Sequence, residues 1–79
     1  KYRYVEKEVC DQFFIAISKY CPNIEWLDVR NTGITEFGLM SLKECVGLKH
    51  LNIKGGYKLK KKMVKTLQKE LPTTLIIFK

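Results

Sequence analysis

The chain has 79 residues, a formal net charge of +7 and 46% hydrophobic residues. This length allows one domain, and the apolar content excludes an intrinsically disordered chain. No apolar run approaches the roughly 20 residues that a transmembrane helix requires, so the protein is not expected to span a membrane.

The positive charge is confined to one end of the chain. Residues 1–49 carry seven basic and seven acidic residues, whereas residues 50–79 carry eight lysines and a single acidic residue, Glu70. This asymmetry predicts an anionic neighbour for the C-terminal part of the domain.

The first predicted elements are a short strand over residues 1–5 and a helix over residues 6–20. Alternating residues predict the strand, although Arg3 stands where an apolar residue is expected. Apolar residues at helical spacing predict the helix, and Pro22 ends it. The apolar side of this helix consists of Val9, Phe13, Ala16 and Ile17, flanked by Cys10 and Phe14.

The second strand is predicted over residues 24–29 and carries the first candidate binding residues. By strand alternation, Ile24, Leu27 and Val29 point inward. The side chains predicted to point outward are Trp26, Asp28 and Arg30.

The next helix and strand repeat this arrangement after a turn. Thr35 is expected to cap a helix over residues 36–44, whose apolar residues include Phe37 and Leu39. A third strand is then predicted over residues 48–53. Its outward side chains are His50, Asn52 and Lys54.

The last helix is predicted over residues 59–70, and one of its sides is basic. Its apolar side consists of Leu59, Met63, Val64 and Leu67. The lysines expected to face an anionic surface are Lys58, Lys61, Lys62, Lys65 and Lys69. A closing strand over residues 75–78 follows Pro72. The predicted order is therefore β-α-β-α-β-α-β, in which helical crossovers make the strands parallel.

A 24-residue self-repeat runs through these elements. It pairs Cys21 with Cys45, Ile24 with Leu48, Leu27 with Leu51, and Val29 with Ile53. A period in this range predicts stacked units that bury their apolar faces only against one another. Cys21 and Cys45 are expected to be small buried side chains about 5 Å apart on neighbouring units. Unpaired cysteines of this kind favour a reducing compartment.

The strand pattern resembles that of leucine-rich repeats. Ile24, Leu27 and Val29 stand at the spacing of the leucine-rich-repeat strand. The stretch over residues 33–39 is similar to part of the cysteine-containing repeats, and residues 19–25 resemble the repeat opening of F-box leucine-rich proteins.

The leucine-rich-repeat resemblance implies an α/β fold over the single domain 1–79. That fold is a short solenoid of about three repeats, with parallel strands on the concave side and helices on the convex side. Thr32 and Gly56 stand where this family has the asparagine that closes each strand turn, so an asparagine ladder is absent.

The C-terminal part resembles a narrower family. Residues 47–51, the lysine-rich helix and residues 67–73 are similar to the end of ATP synthase coupling factor B (subunit s) and of the related distal-membrane-arm assembly protein of respiratory complex I. This resemblance implies an accessory or assembly subunit on the matrix side of the mitochondrial inner membrane, which binds protein partners within a larger complex. The alternative is the C-terminal, substrate-binding end of an F-box-type ubiquitin-ligase receptor in the cytosol.

Trp26 is the expected centre of a partner-binding surface, because tryptophan is enriched at binding hot spots. His50 and Ile76 are expected to flank it. The other expected contacts are Asp28, Arg30, Asn52 and Lys54. The alternative interpretation is that Trp26 serves packing and that the polar residues form an ordinary solvated surface.

The lysine side of the last helix is the second candidate surface. It is expected to meet anionic lipid or an acidic protein surface. No aromatic residue lies among residues 58–69, which disfavours nucleic-acid binding. The alternative interpretation is a solvated helix face.

Metal binding and catalysis are not predicted. Cys10, Cys21, Cys45 and His50 lack the paired short spacings of a zinc site. The sequence Gly55-Gly56 lacks the frame of a phosphate-binding loop, so no cofactor is expected either.

Overall fold

The computed structural model of the protein describes the backbone of residues 2–4 and all atoms of residues 11–78. Seven regular elements occur in these residues. They are β1 (Tyr2–Tyr4), α1 (Asp11–Tyr20), β2 (Trp26–Asp28), α2 (Glu36–Ser41), β3 (His50–Asn52), α3 (Lys61–Glu70) and β4 (Leu75–Ile77). A short 3-10 turn, Leu42–Glu44, continues α2. The predicted order of elements is confirmed, whereas Val9 and Cys10 of the predicted first helix lie outside the described residues.

The four strands form one open sheet in the order β1-β2-β3-β4, and all three neighbouring pairs are parallel. Trp26 lies opposite His50, and Tyr2 lies opposite Trp26, so both of these pairs of strands have the 24-residue offset of the sequence repeat. His50 lies opposite Leu75, an offset of 25 residues. The repeat thus sets the sheet register, with one residue added before the last strand.

Backbone hydrogen bonds continue this pairing beyond the strands. The Val29 amide donates to the Asn52 carbonyl at 2.8 Å, and the Asn31 amide donates to the Lys54 carbonyl at 2.9 Å. Because these bonds satisfy backbone groups next to a buried core, they hold neighbouring units at a fixed separation.

The core lies between the sheet and the helices. Leu27 and Leu51 project from neighbouring strands into it and are buried. The helical side of the core consists of Phe14 and Ile17 of α1, Leu39 and Leu42 of α2 and its 3-10 turn, and Val64 and Leu67 of α3. The first residues of these three pairs are spaced 25 residues apart, and so are the second residues. The three helices therefore present equivalent positions to the sheet.

The buried side of α1 differs from the predicted one. Phe14, which was expected at the flank, is fully buried, whereas Phe13 is only partly buried and meets the Phe14 ring edge-on at 5.7 Å. In α2, Phe37 and Leu39 were both predicted as apolar residues of the helix, but Phe37 is exposed and Leu39 is buried in the core. A helical apolar stripe is broad, and adjacent phenylalanines do not reveal which one faces the sheet.

The start of α2 is held by a residue from α1. Thr35 occupies the predicted N-cap position with an extended backbone, but its side chain makes no cap hydrogen bond. The Thr35 hydroxyl instead donates to the Asp11 carboxylate, which also accepts the Thr35 amide at 2.8 Å. Gly38 leaves room for this carboxylate, since a Cβ atom there would lie 2.5 Å from Asp11 Oδ1.

The turns after β2 and β3 share one backbone conformation. Asn31 has φ +57°, and Gly55, 24 residues later, has φ +77°. Both are left-handed, a region that glycine and asparagine tolerate best. Thr32 follows Asn31 and is buried, where its hydroxyl donates to the Val29 carbonyl at 3.0 Å. Thr32 thus closes the turn after β2.

None of the helices in the described part of the chain has both the length and the apolar character needed to cross a membrane.

Candidate partner-binding site

A row of large side chains crosses the open face of the sheet. Trp26, His50 and Leu75 lie directly opposite one another on β2, β3 and β4. Trp26 is 45% exposed and Leu75 is 59% exposed, while His50 between them is half-buried. Their neighbours Leu27 and Leu51 are buried on the other face of the sheet, as strand alternation requires.

The Trp26 indole stacks on the His50 imidazole. The ring centroids are 4.4 Å apart and the planes are inclined by 11°. The parallel register of β2 and β3 brings these two rings together, since it places the residues side by side. A stacked ring has lost much of its rotamer freedom before any partner arrives, which lowers the entropic cost of using it in binding.

Asp28 and Asn52 have a structural role that strand alternation did not reveal. Asp28 was expected to point outward as a partner contact, with ordinary solvated surface as the alternative, but it is only 7% exposed. Its Oδ1 accepts the Arg30 amide at 3.2 Å and the Arg30 Nε at 2.9 Å. Asn52 Oδ1 accepts the Lys54 amide at 3.0 Å in the same way. Both side chains therefore fix the chain as it leaves its strand.

Arg30 and Lys54 are exposed at the end of this face. Arg30 forms an ion pair with Asp28, and the Asp28 side chain is mostly buried. Among the residues whose side chains the structure describes, exposed Arg30 and Lys54 and half-buried His50 and Asn52 lie on the same strands as Trp26 or just after them.

Leu75 takes the position that was expected for Ile76. Leu75 lies opposite His50, whereas Ile76 lies opposite Leu51 and packs against the core. The register of the last strand differs by one residue from the 24-residue repeat, and a shift of one residue exchanges the two faces. On the other side, Tyr2 and Tyr4 occupy the register positions beside Trp26 and Asp28. The repeat offset could have identified both tyrosines.

The lysine side of α3 is exposed as predicted. Lys58, which precedes α3, and four lysines of α3 all lie at the surface; the four are Lys61, Lys62, Lys65 and Lys69. The Lys58 Nζ lies over the Tyr57 ring, 6.0 Å from its centroid. Among the residues that the structure describes, none of these lysines forms an ion pair.

The two repeat-related cysteines differ in environment. Cys45 is buried as expected, but Cys21 is exposed, so the prediction of two buried side chains is wrong for Cys21. Both thiols are free. Burial, together with nearby Cys21 and Glu44, raises the pKa of the Cys45 thiol to about 11. Cys45 is therefore a poor nucleophile, because the thiolate is the reactive form.

No group of three or more His, Cys, Asp or Glu side chains that could hold a metal ion occurs in the described part of the chain. A scan against protein-family models and a search of curated proteins return no match for this chain.

Proposed function

We propose that the chain is a short leucine-rich-repeat-type solenoid that acts as a non-enzymatic protein-binding module. The proposal is supported by the parallel strands, the helices on one face of the sheet and the 24-residue register of β1, β2 and β3. Repeat solenoids of this kind bind partners along the surface that their stacked units form.

The row of Trp26, His50 and Leu75 is the single observation that carries the proposed function. It joins an aromatic ring of restricted orientation to a leucine that is more exposed than buried. A soluble domain gains nothing by leaving such apolar surface in water, and clustered exposed apolar residues mark interaction sites. Arg30 and Lys54 supply a polar rim, as interfaces of this type have.

Within this class, the C-terminal resemblance favours an accessory or assembly subunit of a mitochondrial inner-membrane complex. The candidate partners are then subunits of ATP synthase or of a respiratory complex. An F-box-type receptor is the alternative, whose partners are components of a cullin ligase and its substrate.

Affinity capture with variants tests the proposed function. The tagged protein and its Trp26→Ala variant are expressed in cells, and the recovered proteins are quantified by mass spectrometry. ATP-synthase or respiratory-complex subunits that are depleted by Trp26→Ala would support both the surface and the assembly role. Cullin-ligase components with the same dependence would support the F-box alternative.

Tyr20→Ala is the matched control, because Tyr20 is an exposed aromatic residue at the end of α1, away from the sheet. Recovery of the same proteins in the same amounts with all three forms of the protein would contradict binding through the Trp26 row.

A further inference from the structure

The helical side of the protein carries a second surface with two chemically distinct parts. The core positions of α1, α2 and α3 recur every 25 residues, so the exposed positions of these helices are also aligned. This alignment places Ile15, Met40 and Lys65 in one row across the three helices. Phe37 and Lys62 lie in a second row, and Glu36 and Lys61 lie in a third.

The part on α1 and α2 is apolar. Phe37 is 81% exposed, and Ile15 is also exposed, whereas Met40 is partly buried against the core. A depression of about 340 Å³ lies here, lined by Glu36, Phe37 and Met40. The described lining is mostly apolar, so the depression can receive an apolar side chain of a partner.

The part on α3 is basic. Lys61, Lys65 and Lys69 stand at successive turns of the helix, a spacing that spans about 12 Å along its axis. No acidic residue occupies the first turn of α3, and these lysines form no ion pair among the described residues. The apolar residues of α3 itself, Val64 and Leu67, are used in the core.

We propose that this helical surface binds an amphipathic acidic segment of a partner protein. An apolar side chain of the segment enters the depression beside Phe37 and Met40. Carboxylates on the same segment then reach Lys62 and Lys65 on the neighbouring helix, whose axis lies about 8–10 Å away at the usual packing distance. A cluster of like charges at a surface favours the opposite charge in a partner, so complementarity sets the sign of the segment.

An acidic protein segment fits this surface better than an anionic membrane does. The carboxylate of Glu36 lines the depression, next to the row of lysines. A bilayer rich in anionic lipid presents negative charge along its whole surface and would oppose Glu36 as well as the lysines. A peptide places its carboxylates only where the lysines are.

Selection of peptides on the intact chain tests this inference. The protein is immobilised, and a display library of random peptides of about 12 residues is passed over it. Enriched peptides are expected to combine a large apolar residue with several aspartates or glutamates. Enrichment of peptides without acidic residues, or no enrichment at all, would overturn the inference.

Variants then assign the selected peptide to the surface. Replacing Lys62 and Lys65 together by glutamate should weaken binding of the labelled peptide by about tenfold or more, and Phe37→Ala should weaken it by about fivefold. The matched control is the pair Lys19→Glu and Lys49→Glu, which changes the net charge equally at exposed positions outside α3. Equal weakening by the control pair would show that the effect depends only on net charge, and this result would overturn the inference.

Vesicles and nucleic acid complete the comparison. Vesicles with about 30% phosphatidylserine should bind more weakly than the selected peptide, and binding should depend little on Phe37. Tighter binding to these vesicles, or to a single-stranded oligonucleotide, with loss on Lys62→Glu and Lys65→Glu would reassign the surface to that ligand. The sheet face with Trp26 takes no part in this experiment, so its outcome is independent of the proposed function.

Discussion

Cys45 and Cys21 occupy equivalent positions of the repeat but have opposite exposures. Burial raises the pKa of the Cys45 thiol from its ordinary value of 9.0 to about 11. In the unfolded chain the same thiol loses its proton near its ordinary pKa. Folding therefore favours the protonated thiol, a contribution that is complete below pH 9 and is lost as the pH rises towards 11.

The difference between the Cys45 pKa in the folded and unfolded chain predicts that this residue lowers the stability of the protein at alkaline pH. Between pH 9 and pH 11 the free energy of unfolding should fall with a slope of about 1.4 kcal/mol per pH unit from Cys45. Urea unfolding of the wild type and of Cys45→Ala, measured from neutral to alkaline pH, checks the slope. The variant starts less stable because of its cavity but should lose less stability with pH. Parallel curves for the two proteins would contradict this explanation. Cys21→Ala should keep most of the slope, because burial is the largest cause of the raised Cys45 pKa.

The turns that follow β2 and β3 show how the repeat is encoded at the scale of an element. Asn31 and Gly55 are the left-handed residues in the turns after these strands, although the two residue types share no side-chain chemistry. The recurring property is a backbone conformation, which a comparison of apolar positions does not detect. The Gly55 position is also crowded, because a Cβ atom there would overlap Asn31 Oδ1.

Gly55→Ala is therefore expected to destabilise the protein by about 1–2 kcal/mol, the usual cost of a left-handed conformation for a residue with a side chain. Gly47→Ala is the matched control, because a Cβ atom there would meet nothing within 4 Å and its φ is not left-handed. That variant should be neutral or slightly stabilised. Thermal unfolding of both variants measures the difference, and equal melting temperatures would refute the assigned role of Gly55.

The first turn of α3 combines lysines with the positive end of the helix dipole. Lys61 and Lys62 are both in this turn, and no acidic residue offsets them. We predict that Lys62→Glu stabilises the isolated protein by about 0.3–1 kcal/mol while it weakens binding of an acidic segment. Chemical denaturation at low salt gives the first quantity, and Lys69→Glu at the other end of α3 should have the opposite effect on stability. A loss of stability with Lys62→Glu would contradict the electrostatic explanation.

The periodicity of the sequence predicted which strands and helices form, but it did not predict which side of a helix faces the sheet. The order of strands and helices and the sheet register of Trp26 and His50 follow from the repeat. The orientation of α1 does not, because Phe13 and Phe14 are both apolar and only packing against the sheet chooses between them. The interaction between Thr35 and Asp11 joins residues 24 positions apart, so local capping rules gave the wrong hydrogen-bond partner.

For the whole molecule, the sheet and the helices present surfaces of different character. The sheet face carries Trp26, His50 and Leu75, and the helical side carries an apolar depression beside the lysines of α3. The charge asymmetry of the sequence predicted where the basic surface lies. On the sheet, alternation predicted that Trp26 and His50 share one face, whereas Asp28 is buried and Leu75, not Ile76, lies opposite His50. Alternation gives the direction of a side chain, but its exposure depends on neighbours that a single strand does not reveal.

We propose that the row of Trp26, His50 and Leu75 binds a protein partner. The most direct test measures the affinity of a captured partner and the melting temperature for the wild type, Trp26→Ala and His50→Ala. Trp26→Ala should weaken binding by more than about 1 kcal/mol with little change in melting temperature. His50→Ala should weaken binding less, because it removes only the ring on which Trp26 stacks. An unchanged affinity for Trp26→Ala would contradict binding through this row. A large fall in its melting temperature would instead assign Trp26 to packing.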